Sequence, residues 1–324
     1  MSLSQKSLLS AGAALIALMG VAVTTVTGIQ ATTANSVSNQ QAPRLIASKL
    51  RNLTIVFPSR ADSTDLQSKA NAVATFLTKE MGMPVKAQIG DDTAAVEALR
   101  ANRAEVAFLS SRPALKAEEL ANARLYLAEV RDNYSGRFTY DSIFVVRNNS
   151  PLRSGSNAKT TLEQLRGRRM AFTSPTSGSG FIFPVSELVK QGFVPNRDRV
   201  DTFFGQVAYG GSYSKALQAV VRGQAEVAAV SEYALLPPYI TEEERKQLRV
   251  LYKISGVPAH GIVIDDKVPA DQREKLINAL LKLNQSENNQ LLRGLYNSTE
   301  LVRVDHNRHL SPVRQALQRV GIEP

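Results

Sequence analysis

Cysteine is absent from the 324-residue chain. That excludes disulfides, thiolate metal sites, covalent cysteine chemistry and a bacterial lipoprotein anchor, while leaving an oxidising compartment open. Histidine is scarce, with three in all. His306 and His309 stand three apart in "DHNRH" beside Asp305, but a metal centre wants a third ligand, so no metal is expected. Aromatic residues make up 6% of the chain, and no basic run is interleaved with them, which argues against nucleic acid. There is no G-x-S-x-G elbow and no phosphate loop ending in G-K-[ST]; Ser179 sits between glycines at the wrong spacing. Neither an enzyme nor a cofactor is expected. Beyond the N-terminal segment, no run is long and apolar enough to cross a bilayer.

What is present fits two domains of ordinary size, with 43% hydrophobic residues and a formal charge of +10. A basic surface suits anionic partners, small anions included. Residues 1–34 read as an export signal: Lys6 precedes the uncharged apolar run from Leu8 to Val26, and small residues lead to Ala34. The run also reaches the length of a spanning helix, so an uncleaved membrane anchor is the alternative. Residues 35–50 are polar and read as a linker.

From "LTIVF" (Leu53 to Phe57) onward, short β-branched runs alternate with helical periodicity, which argues an α/β sheet covered on its faces. Two blocks share one grammar. "TAAVEALRANRAEVAFL" and "SKALQAVVRGQAEVAAV" each run helix, polar turn, acid, apolar strand. They suggest two lobes on one plan, or simply common α/β grammar.

"TSPTSGSGFIFP" (Thr173 to Pro184) follows the strand "RMAF" and feeds a helix. Helix starts carry unpartnered N–H groups and partial positive charge, so this turn can cradle an anion. Ser177 and Ser179 offer hydroxyls; Gly178 and Gly180 allow close approach to the backbone. The same residues can equally cap the helix and make the turn. A second such turn, "GGSYSKA", places Ser212 and Tyr213 at a helix start in the same position of the second block. Ligands in open α/β sheets bind at strand C-terminal ends, where both turns fall.

These segments resemble the phosphate/phosphite/phosphonate substrate-binding proteins of ABC transporters. "TSPTSGSGFIFP" resembles their "STSG" signature, and "YGGSYSKALQAVVRGQAEVAAVSEYAL" their second-turn block. "TYDSIFVVRNNSP" resembles their crossover strand, and "LEQLRGRRMAF" the segment before the signature. The likeness covers roughly residues 50–320, in order. It implies an α/β, two-lobe type II periplasmic binding protein fold, with two crossover strands and an interlobe ligand cleft. The crossovers would be Ser142–Val146 and Ile262–Ile264. Lobe 1 would comprise 51–147 plus 256–324, and lobe 2 would comprise 148–255.

By the same resemblance, the signature hydroxyls and N–H groups at Ser177 to Gly180 hold the ligand's head. The family's middle Thr is Gly178 here, and the usual His of the second turn is Tyr213. Tyr140 matches a family tyrosine. Of two acids that hold a ligand amine in aminophosphonate binders, one matches Glu232, while the other falls at or near His260. A first-lobe tyrosine falls near Thr93, and Ser110 with Ser111 takes the place of another first-lobe contact. Each has a plainer alternative: packing for Tyr140, a helix-start acid for Glu232, a core or hinge residue for His260, and a turn for Ser110, Ser111 and Arg112.

The expected function is capture of a small phosphorus oxyanion outside the membrane and delivery to an ABC permease by a monomer. The alternative is a membrane-tethered sensor of the same fold.

Overall fold

The computed structural model describes residues 50–59 and 65–323. The expected export segment and nearly all of the linker lie outside the described residues.

The first lobe starts with β1 (Leu53–Pro58), α1 (Leu66–Met81), β2 (Val85–Gly90), α2 (Asp92–Arg100), β3 (Val106–Leu109), α3 (Ser111–Ala121) and β4 (Ala123–Val130). The second contains β5 (Thr139–Arg147), α4 (Ala158–Glu163), β6 (Arg169–Phe172), α5 (Phe183–Lys190), β7 (Gln206–Tyr209), α6 (Tyr213–Val221), β8 (Val227–Ser231), α7 (Glu242–Arg245) and β9 (Leu248–Pro258). The chain then returns through β10 (Gly261–Asp265), α8 (Ala270–Leu281), α9 (Asn289–Tyr296), β11 (Glu300–Arg303) and α10 (His306–Val320). No helix among the described residues is long and apolar enough to cross a membrane.

Two mixed sheets result, in the orders β11-β4-β10-β3-β1-β2 and β7-β6-β8-β5-β9. In the first, β2, β1 and β3 run parallel and β10 antiparallel to β3. In the second, β7, β6 and β8 run parallel and β5 antiparallel to β8. The central strands β1, β3, β5, β8 and β10 are covered on both faces, which is why they read as apolar runs. Along β1, Leu53, Ile55 and Phe57 pack with Leu77 and Leu276 on one face, while Val56 joins the core on the other. Along β5, Ile143 and Val145 meet Leu217 and Val220 of α6, and Phe144 and Val146 face the opposite side. Each such fully buried side chain contributes about 1.5–3 kcal/mol relative to exposure.

Two boundaries differ from expectation. Ser142–Val146 lies wholly in the second sheet, paired on both sides by β8 and β9. Ile262–Ile264 lies wholly in the first, between β3 and β4. A strand held by ladders on both edges cannot also bridge two sheets. The chain passes between them at residues 131–138 and again at 259–260. The C-terminal segment also does more than complete the first lobe: α10 packs on α5 and β9 as well as on α3. Its apolar stripe, with Leu310, Val313, Leu317 and Val320 buried, faces a core shared by both lobes.

Candidate functional site

The strand-to-helix turns of both lobes open onto a single cavity of about 990 Å³. From the first lobe come the starts of α2 (Asp92, Thr93) and α3 (Ser110, Ser111, Arg112). From the second come Thr176, Ser177 and Gly178 after β6, Tyr213 at the start of α6, and Arg197. Tyr140, at the start of β5, and His260, in the second passage between sheets, form the rest of the wall with the C-terminal residues Gly321, Ile322 and Glu323.

The turn after β6 is wider than an α-turn: Ile182 N–H donates to the Ser177 carbonyl at 2.9 Å, five residues back. Such wide turns recur at functional sites. Ser177 Oγ accepts from Gly180 N–H at 3.0 Å. The N–H groups of Gly178 and Ser179 stand at the head of the turn, where a helix supplies no partner of its own. The two glycines differ. A Cβ on Gly180 would lie 2.2 Å from Thr173 Oγ1, so this glycine is required by packing. A Cβ on Gly178 would meet nothing within 4 Å.

Behind the wall stands a row of hydroxyls. Ser179 is fully buried, and its Oγ lies 2.7 Å from the Tyr213 hydroxyl. Ser142 Oγ donates to the Ser179 carbonyl at 2.7 Å, tying the turn to β5. Burial, with Tyr213 beside it, pushes the Tyr140 phenol well above its ordinary range, so it keeps its proton and can donate. Tyr134, Tyr140 and Tyr233 pack ring against ring at 5.2–5.7 Å.

His260 is held by an acid that sequence reasoning missed. Its Nδ1 lies 2.9 Å from Glu129 Oε1 at the end of β4. Glu129 is fully buried and also accepts from the Tyr134 hydroxyl and from Ser298 Oγ, with Arg131 Nε at 3.2 Å. The donors come from both passages between the sheets and from the approach to β11. A buried charge persists only when so surrounded.

Residues 55–310 match the family described as "ABC transporter, phosphonate, periplasmic substrate-binding protein". The chain belongs to this family. The phosphate-import protein PhnD of Mycolicibacterium smegmatis is 22% identical over 229 residues, 69% of each chain. XAC2383 from Xanthomonas citri, solved bound to ATP, superposes with a TM-score of 0.68 at 18% identity, over 84% of this chain and 98% of that one. PhnD1 from Prochlorococcus marinus, solved in complex with methylphosphonate, gives 0.64 at 18% identity, over 84% and 98%. At such identities the structural likeness speaks to the fold: a two-lobe binding protein with a ligand cleft. Family membership makes the chain a substrate-binding transport component of the periplasm.

Within this phosphonate-binding frame, Thr93, Ser110, Ser111, Tyr140, Ser177, Gly178, Tyr213 and His260 line the cavity as a group. Four expected contacts do not. The Ser179 hydroxyl is taken up by Tyr213, and Gly180 is fully enclosed with its N–H given to Ser177. Ser212 caps α6 by accepting from Lys215 N–H at 3.3 Å. Glu232 accepts from the N–H groups of Ser135 and Asp141 at 2.8 and 3.0 Å, fastening the first passage between sheets. Its carboxylate serves the backbone, not the cavity. The "DHNRH" histidines have structural partners: His306 Nδ1 accepts from Leu125 N–H at 2.8 Å, and His309 Nε2 faces the Ala259 carbonyl at 3.0 Å. Arg112 reads as a surface turn in the sequence, yet it lines the cavity; Arg197 sits in the polar run "VPNRDRVD" and gives no signal there.

Proposed function

We propose that this chain captures a phosphorus oxyanion (phosphate, phosphite or a phosphonate) in the periplasm and delivers it to an ABC permease. The observation that carries this reading is the convergence of helix starts from both lobes, with Tyr140 and Tyr213, on one cavity. Helix starts favour negative charge and present free N–H donors. A phosphorus oxyanion is all acceptors on its head, so it matches a wall built of donors. The head group sits on Ser177 and the N–H groups of Gly178 and Ser179, with Tyr213 and Tyr140 donating from the side. Ser110, Ser111 and Thr93 complete the cradle from the first lobe. Closing the lobes removes water, which strengthens each charge-assisted bond. The permease then recognises the closed form.

The protein acts in this reading as a monomer. No step of capture and release calls for catalysis. Residues 1–34 direct export; intact mass of the exported protein reads whether they are removed or retained as an anchor.

Titration calorimetry against phosphate, phosphite and methylphosphonate tests the reading. At least one binds, and Tyr213→Phe weakens it about tenfold or more, because a hydrogen bond to a charged group is worth about 1.5–3 kcal/mol. Silence across the panel, or an unchanged affinity in Tyr213→Phe, would reject it.

A further inference from the structure

The cavity holds two guanidinium groups that a single small oxyanion at the Ser177 turn leaves unexplained. Arg112 stands at the start of α3 in the first lobe, and Arg197 stands in the second lobe, ahead of β7. Both line the cavity. They are near enough that burial and the Arg197 charge together depress the pKa of Arg112. Among the described residues, Arg112 has no ion-pair partner. Arg197 has only Asp198, its exposed neighbour in sequence, at 3.4 Å. Three acids share the wall: Asp92 accepts from Ser110 Oγ, Glu97 pairs with Arg100, and Glu323 stands exposed at the C-terminal end; among the described residues none of the three forms an ion pair with Arg112 or Arg197. Apart from Asp198 beside Arg197, these two cations on one wall have no paired counter-charge among the described residues.

Size points the same way. A cavity of about 990 Å³ lies at the top of the ~300–1,000 Å³ range of sites for drug-sized ligands. A one-phosphorus head of five or six heavy atoms fills a small part of it.

We propose that the ligand has two anionic ends: a phosphorus oxyanion on the Ser177 turn, and a carboxylate or second phosphoryl group seated between Arg112 and Arg197. This rests on the phosphorus-oxyanion reading above and narrows its substrate class to organophosphonates or phosphate esters with a second anion. Guanidinium forks suit both carboxylate and phosphoryl groups. Because the arginines belong to different lobes, the second anion also ties the lobes together. An uncharged tail in the same place leaves the two cations facing each other.

The test compares 3-phosphonopropionate with propylphosphonate, which has the same head and chain length but a neutral end. Ethane-1,2-diphosphonate distinguishes a phosphoryl second end from a carboxylate. In the wild-type protein, at least one two-ended ligand binds tenfold or more tighter than propylphosphonate. Arg112→Gln and Arg197→Gln each bring that ratio toward one. Arg197 lies in an exposed turn, so Arg197→Gln reads the ratio even if Arg112→Gln fails to fold. Equal wild-type affinities for one-ended and two-ended ligands would overturn the proposal while leaving the head-group reading intact. So would a preference that survives both substitutions. If none of these ligands, nor phosphate, phosphite or methylphosphonate, binds, the underlying reading fails and this one with it.

Discussion

The stretches E-V-A-F-L-S-S (Glu105 to Ser111) and E-V-A-A-V-S-E (Glu226 to Glu232) begin alike and finish differently. Both open on an acid that reaches back to the neighbouring strand. Glu105 Oε2 accepts from Thr54 N–H at 2.7 Å, and Glu226 Oε2 accepts from Arg169 N–H at 3.1 Å. Both then form the third parallel strand of their sheet. At the C-terminal end they part. Ser110 and Ser111 lead into the eleven-residue α3, whose start faces the cavity. Ser231 is fully buried, and Glu232 enters a short turn of four residues and clasps the passage between the sheets. One lobe turns the position to the cavity; the other uses it to fasten the passage between the sheets. A repeated strand fixes where a side chain stands, but the turn or helix after the strand decides which way it faces.

Removing the Glu232 carboxylate should break this contrast most. Glu232→Ala strands two backbone N–H groups at the hinge and costs about 2 kcal/mol, whereas Ser110→Ala, which loses one hydroxyl bond to Asp92, costs about 0.5–1 kcal/mol. Chemical denaturation of both variants checks the ordering, and equal losses would erase the distinction between hinge and cavity edge. The shared part of the repeat is tested by Glu105→Ala and Glu226→Ala. Each loses the same reach to a neighbouring strand, worth about 1 kcal/mol, and Glu226→Ala also loses exposed ion pairs to Arg168 and Arg169 that add little. A large inequality would show that only one lobe depends on the device.

The smallest effect concerns α10, the helix both lobes share. Burial depresses the pKa of His309 below its ordinary 6.5, opposed by the bond to the Ala259 carbonyl. Below that ordinary value the unfolded chain takes a proton that the folded chain resists. Stability is therefore fully present above about 6.5 and declines as pH falls toward the folded pKa. Thermal melting across that window should show the decline, and His309→Gln should flatten it. A melting point that rises on acidification in the wild type would contradict the assignment.

Much of the site was legible because it depends on local chemistry. A Ser/Gly turn between strand and helix is visible as composition, and its place at a strand's C-terminal end comes from the alternation. The two Ser/Gly turns could thus be named, whereas Tyr140 came only from the family resemblance. Which hydroxyl on a turn faces the cavity depends on the helical phase. Ser177 and Ser179 are two residues apart, and the wide turn sends one to the cavity and the other toward Tyr213. Glu129 went unseen because an acid in "ARLYLAEV" carries no local mark of its partners, which lie in segments up to 169 residues away.

The chain alone determined the alternation of strand and helix and the anion-suited turns, since periodicity, capping and turn chemistry act over a few residues. Tertiary structure decided the rest. It set where the chain passes between sheets, brought α10 across both lobes, put a buried carboxylate behind His260 and set Arg112 opposite Arg197. Those pairings join residues far apart in sequence, and only the closing of two sheets around one cavity brings their charges within reach of each other.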